Sequence, residues 1–138
     1  MGVSGSGKTS VGQLLAEELS VPFFDADDHH PSENIEKMSR GIPLNDDDRK
    51  PWLDNLHKIA VTYVNLGCVI TCSALKEVYR TRLIQSIESN SHWVYLNGSY
   101  DLIFERMKKR EGHFMSAEML KSQLDTLEEP KNAINIDI

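Results

Sequence analysis

The segment Gly2-Val3-Ser4-Gly5-Ser6-Gly7-Lys8-Thr9 meets every fixed position of the pattern G-x-x-x-x-G-K-[ST]. Its chemistry is that of a polyphosphate cradle. Glycines let backbone N–H groups turn inward around phosphate oxygens, and a helix starting at the loop's end adds positive potential. Lys8 is placed to reach the β- and γ-phosphates and the Thr9 hydroxyl to ligate Mg²⁺, with Ser10 following on the first helical turn. Asp25 and Asp27 alternate at the end of the apolar run Val21–Phe24. Asp27 suits accepting or orienting a substrate hydroxyl proton, and Asp25 suits ordering water around Mg²⁺. The alternative is an acidic turn that only caps the next helix. Asp27, Asp28, His29 and His30 are contiguous but lack helical or hairpin ligand spacing, which argues against a transition-metal centre.

Basic residues recur further along. Lys76 and Arg80 are one helical turn apart after the run "CVITCSA", and Arg49 stands near the start of the longest helical pattern. Together they suit a small anionic substrate, with Arg fitted to bidentate carboxylate binding. Singly, each reads as a solvated surface charge. Arg106 and Arg110 flank "EGHF", where a lid could bring a guanidinium to transferring phosphate; favourable charge at a helix C-terminus explains them equally well.

The elements that position these groups alternate. Val11, Leu14, Leu15 and Leu19 fall on one helical stripe after the loop. A short strand at Val21–Phe24 follows, then a helix after Pro31 capped by Ser32 and closed at Gly41. "NDDDRKPWLDNLHKIAVTYVNLG" is a long helix with acids at its start, and "NDDD" reads as its cap. "CVITCSA" suits a strand buried on both faces, followed by a helix over Leu75–Ile84 and a strand in "HWVYLNG". Ser99 and Ser116 cap two more helices, the second reaching Pro130, and "AINIDI" closes as a strand. Trp52, Trp93, Tyr95 and Phe104 are expected in the core. Alternation of this kind predicts an α/β fold with a mostly parallel sheet and helices on both faces.

The chain's 138 residues suit one domain, and its net charge of −6 argues against nucleic acid or acidic membrane as the main partner. No apolar run approaches the roughly 20 residues that span a bilayer. Cys68 and Cys72 match neither zinc spacing nor a disulfide framework, which points to a reducing, cytoplasmic setting.

As a set, these residues resemble the gluconate kinase (gluconokinase) family of P-loop small-molecule kinases along nearly the whole chain. The likeness is carried by the loop, by "DADDHHPSENIEKMSRGIPLNDDDRKPWLDNL", by "CSALKEVYR", by "KREGHF" and by "LKSQLDTLEEP". Shikimate kinases and nucleotide monophosphate kinases share the loop but not these blocks. The resemblance implies transfer of the γ-phosphoryl of ATP, with Mg²⁺, to the 6-hydroxyl of D-gluconate, giving 6-phosphogluconate. It implies a P-loop NTPase-type parallel sheet of five strands, a short lid at about 110–120, and a homodimer. Carried over by position, Gly2, Val3, Ser4, Gly5, Ser6, Gly7, Lys8, Thr9 and Ser10 bind nucleotide, joined by Arg106 and by Arg110, the lid arginine. Asp27, His30, Arg49, Lys76, Arg80 and His113 face the sugar acid; Thr9 and Asp25 serve the metal, and Lys8, Asp27 and Arg110 the catalytic step.

Three departures from the family pattern stand out. Its first strand is expected ahead of Gly2, in the middle of the sheet, and its last helix beyond Ile138, so the chain reads as a kinase domain lacking both. Leu124 stands where an aromatic residue is frequent, an effect on packing. Two competing functions follow: a kinase for another small hydroxy acid such as shikimate, and a non-catalytic nucleotide-binding fragment.

Overall fold

The computed structural model describes residues 1–109 and 117–138. Gly7, in the left-handed region at φ 89°, turns the phosphate-loop pattern into helix α1, Lys8–Leu19. Strand β1 is Phe23–Asp25, starting two residues later than the apolar run suggests. A single 3₁₀ turn, Ala26–His29, follows it, with the Asp25 carboxylate accepting from the Asp27 N–H. Helix α2 spans Ser32–Ser39; Pro31, not Ser32, occupies its cap position, and the Ser32 hydroxyl turns to Glu33 instead. Helix α3, Asp46–Thr62, opens with a full capping box in which Asn45 and Asp48 exchange side-chain and backbone hydrogen bonds. Then come β2 (Val69–Thr71), α4 (Glu77–Ile84), β3 (Trp93–Asn97), α5 (Tyr100–Lys108) capped by the Ser99 hydroxyl, α6 (Ala117–Thr126) and β4 (Ala133–Asp137). Ser116, expected as the cap of α6, lies outside the described residues, as do Arg110 and His113.

The strands form two parallel pairs rather than one ladder of five. β1 pairs with β2, Phe23 opposite Val69, and β3 with β4, Trp93 opposite Ala133. Met1 and Gly2 lie between the pairs. The Met1 N donates to Val94 O at 2.6 Å and Leu96 N donates to Met1 O at 3.0 Å, the staggered pattern of a parallel neighbour. On the other side Gly2 N donates to Ser73 O at 3.3 Å. The spatial order is therefore β1, β2, Met1–Gly2, β3, β4.

Two apolar clusters back this arrangement. One joins Met1, Ala26, Trp52, Leu53, Leu56, Cys72, Tyr79, Leu83 and Tyr95, so that α3 and α4 close over the strands. The other gathers Val3, Leu75, Ile103, Met107 and Leu120 beneath α5 and α6, with Leu124 packed against it. Trp52 and Tyr95 are buried as expected, while Trp93 and Phe104 are only half-buried. α1 departs from expectation. Its small residues Gly12 and Ala16 are the buried ones, Gly12 close against Thr71 and Phe23. Its stripe of larger residues stays open, with Leu14 62% and Leu19 58% exposed. Val11, Leu15 and Leu19 instead border a cavity of about 380 Å³ between the strand pairs, walled opposite by Ile70, Val94 and Leu96. No described helix is long and apolar enough to cross a membrane.

Candidate active site

The phosphate loop connects the strand-like Met1–Gly2 to α1, and its path demands glycine at two further points. Gly5 has φ 80°, and a Cβ there would lie 2.6 Å from Met107 Cγ. Gly7 begins the helix from the left-handed region, leaving the first N–H groups of α1 aimed at the loop's mouth. The loop is braced from within and from α6. Ser6 N donates to Val3 O at 3.3 Å, Lys8 Nζ donates to the same carbonyl at 2.8 Å, and Ser4 N donates to Gln123 Oε1 at 2.7 Å. Ser10 is exposed on the first turn of α1.

The two residues expected to serve a divalent cation meet. The Thr9 hydroxyl donates to Asp25 Oδ2 at 3.0 Å. Both are hard oxygen donors, Thr9 on the first turn of α1 and Asp25 at the end of β1, beside the helix terminus where polyphosphate would sit, and they fit Mg²⁺. Among the described residues no group of three His, Cys, Asp or Glu could hold a metal by itself. Mg²⁺ is commonly held by one or two protein oxygens together with substrate phosphate. Asp27 is exposed two residues beyond Asp25.

The adjoining wall is built from α2 and the first turns of α3 and α4. The His30 ring stacks on Trp52 at 4.4 Å between centroids, and Trp52 is fixed in turn by its Nε1–H, which donates to Ala26 O at 2.7 Å. Lys37 pairs with Asp48 at 2.7 Å. Arg49 donates to Leu44 O at 2.5 Å and lies 5.7 Å from the Tyr79 ring centroid. Lys76 reaches both carboxylate oxygens of Asp46 at 3.1 Å, the Tyr79 hydroxyl donates to the same carboxylate, and Arg49 stands 4.0 Å from it. The bond from Tyr79 and the Lys76 ammonium hold the Asp46 carboxyl below its usual range. Arg49 and Lys76 thus converge, as the sequence suggested, but around an acid that sequence reasoning assigned only to a helix start. Tyr79 lies in the block "CSALKEVYR" but received no role from its residue type or spacing.

Arg80 does not join them, which corrects the expectation that it faces a substrate. It is 2% exposed. Its Nη1 donates to Ala74 O and Leu75 O, its Nη2 to Glu77 Oε2 and Glu128 O, and its Nε to Glu77 Oε2, which uses every donor of the guanidinium. Glu128 closes the same knot, its N–H donating to Leu75 O and its carboxylate accepting from Glu77 N. Arg80 therefore fixes the segment that carries Lys76. Arg80→Met should cost on the order of 3 kcal/mol, since the Ala74 and Glu128 carbonyls lose a charged donor while Leu75 O keeps the Glu128 N–H, and each buried acceptor left unmet costs about 1–3 kcal/mol. Urea unfolding measures it, and a loss under ~1 kcal/mol would contradict this assignment. Arg106 is exposed on the last turn of α5, beside the Met107 that packs on Gly5.

A family model for shikimate kinase matches residues 4–135. A probable gluconokinase of Xenopus tropicalis is 49% identical over 94% of this chain and 77% of its own length. The thermosensitive gluconokinase of Escherichia coli is 45% identical over the whole chain and 76% of its own length. Among solved structures, a gluconokinase from Sinorhizobium meliloti superposes with a TM-score of 0.87 at 46% identity, covering all of this chain and 79% of that one.

Proposed function

The chain belongs to the gluconokinase family of P-loop kinases, and on that premise we propose that it transfers the γ-phosphoryl of ATP to the 6-hydroxyl of D-gluconate, giving 6-phosphogluconate and ADP. The observation that carries this reading is a set of polar residues at neighbouring strand and helix ends. It runs from Thr9 and Asp25, through Asp27 and His30, to Arg49 and Lys76. One end suits polyphosphate and the other a small carboxylate.

Each residue then has a task. The loop amides and α1 hold the phosphates. Lys8 exchanges its bond to Val3 O for phosphate oxygens and neutralises charge that grows there during transfer. Asp27 accepts the proton of the attacking hydroxyl. Arg49 and Lys76 receive the carboxylate of the sugar acid. Thr9 and Asp25 would hold Mg²⁺, which would supply charge neutralisation for the transferring phosphates. Arg106 on α5 assists at the nucleotide, and the working form is a dimer; Arg110, His113 and most of the lid expected at about 110–120 lie outside the described residues.

Asp46 sets the scale of substrate discrimination. Two cations share one carboxylate, leaving one positive charge for an incoming anion. A neutral sugar leaves that charge without its partner, at a cost near the lower end of 2–5 kcal/mol, which is about 30-fold. An ADP-release assay should therefore show turnover with gluconate and a kcat/KM at least ~30-fold lower with glucose. Comparable values for the two would refute the assignment of Arg49 and Lys76. The shikimate kinase match makes shikimate the second substrate to assay; turnover with it and none with gluconate would transfer the reading to that acid.

A further inference from the structure

Asn34 is 3% exposed on the first turn of α2, yet no part of the proposed chemistry uses it. Its Nδ2 donates to Asp48 O at 2.9 Å and lies 3.3 Å from His30 Nδ1. The first contact decides the second. A backbone carbonyl only accepts, so the amide cannot be flipped without setting its own oxygen against Asp48 O. Nδ2 therefore faces His30 with a hydrogen, and His30 Nδ1 must accept it. The imidazole proton is left on Nε2. Stacking on the anchored Trp52 ring fixes the plane in which that N–H can point.

We propose that Asn34 is a positioning residue that holds His30 as the neutral Nε2–H tautomer, presenting an N–H donor to a hydroxyl of the sugar acid beside Asp27. This rests on the substrate reading above. The charged groups around the ring are Asp27 on the 3₁₀ turn and Arg49 on α3, with the Asp48–Lys37 pair behind Asn34. Burial lowers the pKa of His30, the Asp27 charge opposes that, and Arg49 reinforces it. Neutrality matters because a protonated His30 would pair with Asp27 and occupy the carboxylate that takes the substrate proton.

The wild-type protein supplies the first test. Long-range ¹H–¹⁵N spectra, with the His30 signals assigned by their loss in His30→Gln, should show an Nε2–H imidazole that stays neutral below the ordinary histidine range. An Nδ1–H tautomer would overturn the proposal whatever the substrate is. The second test is Asn34→Asp, which has the same shape but only acceptors. His30 should then carry its proton on Nδ1 and titrate at higher pH, while KM for gluconate rises about tenfold, as for one lost donor, and KM for ATP holds. Unchanged ¹⁵N shifts and unchanged KM in a folded Asn34→Asp protein would also overturn it. If gluconate is not turned over at all, the substrate reading fails and the wild-type spectra still decide the tautomer.

Discussion

Replacing Lys8 with alanine is expected to lower turnover by at least ~10²-fold while leaving stability nearly unchanged, the size of effect seen when one preorganised charge-stabilising donor is lost. The structure explains why the two effects separate. The Lys8 ammonium donates to the Val3 carbonyl. That carbonyl also accepts from Ser6 N at 3.3 Å, so removing Lys8 leaves no orphaned acceptor inside the loop. The loop's shape rests on its glycines, on Gln123 holding Ser4 N, and on Met107 packed against Gly5. During transfer, by contrast, nothing else described in the loop brings a positive side chain to the phosphates. Steady-state ADP release and urea unfolding of Lys8→Ala measure the two quantities side by side. Near-normal activity would sink the phosphate-loop assignment, and a collapse of the unfolding transition would show that Lys8 is structural.

Much of this site is legible in the sequence because its determinants are local. The loop glycines, the start of α1 at Lys8, the Asn45–Asp48 capping box and the Ser99 cap each depend on residues within one or two turns of one another. Thr9 and Asp25 meet because α1 runs down from the loop and β1 runs back up, one strand beyond β2, so that its carboxyl end returns beside the start of α1, a consequence of topology. Arg80 fails the same reasoning for a physical cause. Its spacing from Lys76 suggests a shared face, but its acceptor at Glu128 lies 48 residues away and is set by how the segment after α6 docks. Asp46 was readable as a helix start and is one, yet its contacts with Lys76 and Tyr79, 30 and 33 residues on, depend on α3 packing against α4. Asn34 likewise acquires meaning only when Asp48 O arrives to orient its amide.

The apolar stripe of α1 is the other place where pattern and packing part, and it leads to the largest stability change expected of this chain. Val11, Leu15 and Leu19 face a cavity of about 380 Å³ whose opposite walls are Ile70 of β2 and Val94 and Leu96 of β3. Met1 already sits in the line between the strand pairs and bonds in the parallel sense to β3, while Gly2 reaches toward β2. Extending the chain on the amino side of Met1 by five β-branched residues would carry that line through the cavity, parallel to both neighbours. Each Val or Ile so buried contributes about 1.5–3 kcal/mol, against about 1–2 kcal/mol for ordering its backbone. Ladder hydrogen bonds on both sides add about 1 kcal/mol apiece. A net gain of several kcal/mol follows, and at about 2–8 °C per kcal/mol the melting temperature should rise by ~10 °C or more. The control is an extension of the same length made of Gly and Ser, which can neither fill the cavity nor cover the α1 stripe. Calorimetry and binding of an apolar dye compare the two proteins. The β-branched extension should sharpen the transition and suppress dye binding. Equal melting temperatures for the two extensions would mean that the cavity is not a strand site and that the open α1 stripe is tolerated as it stands.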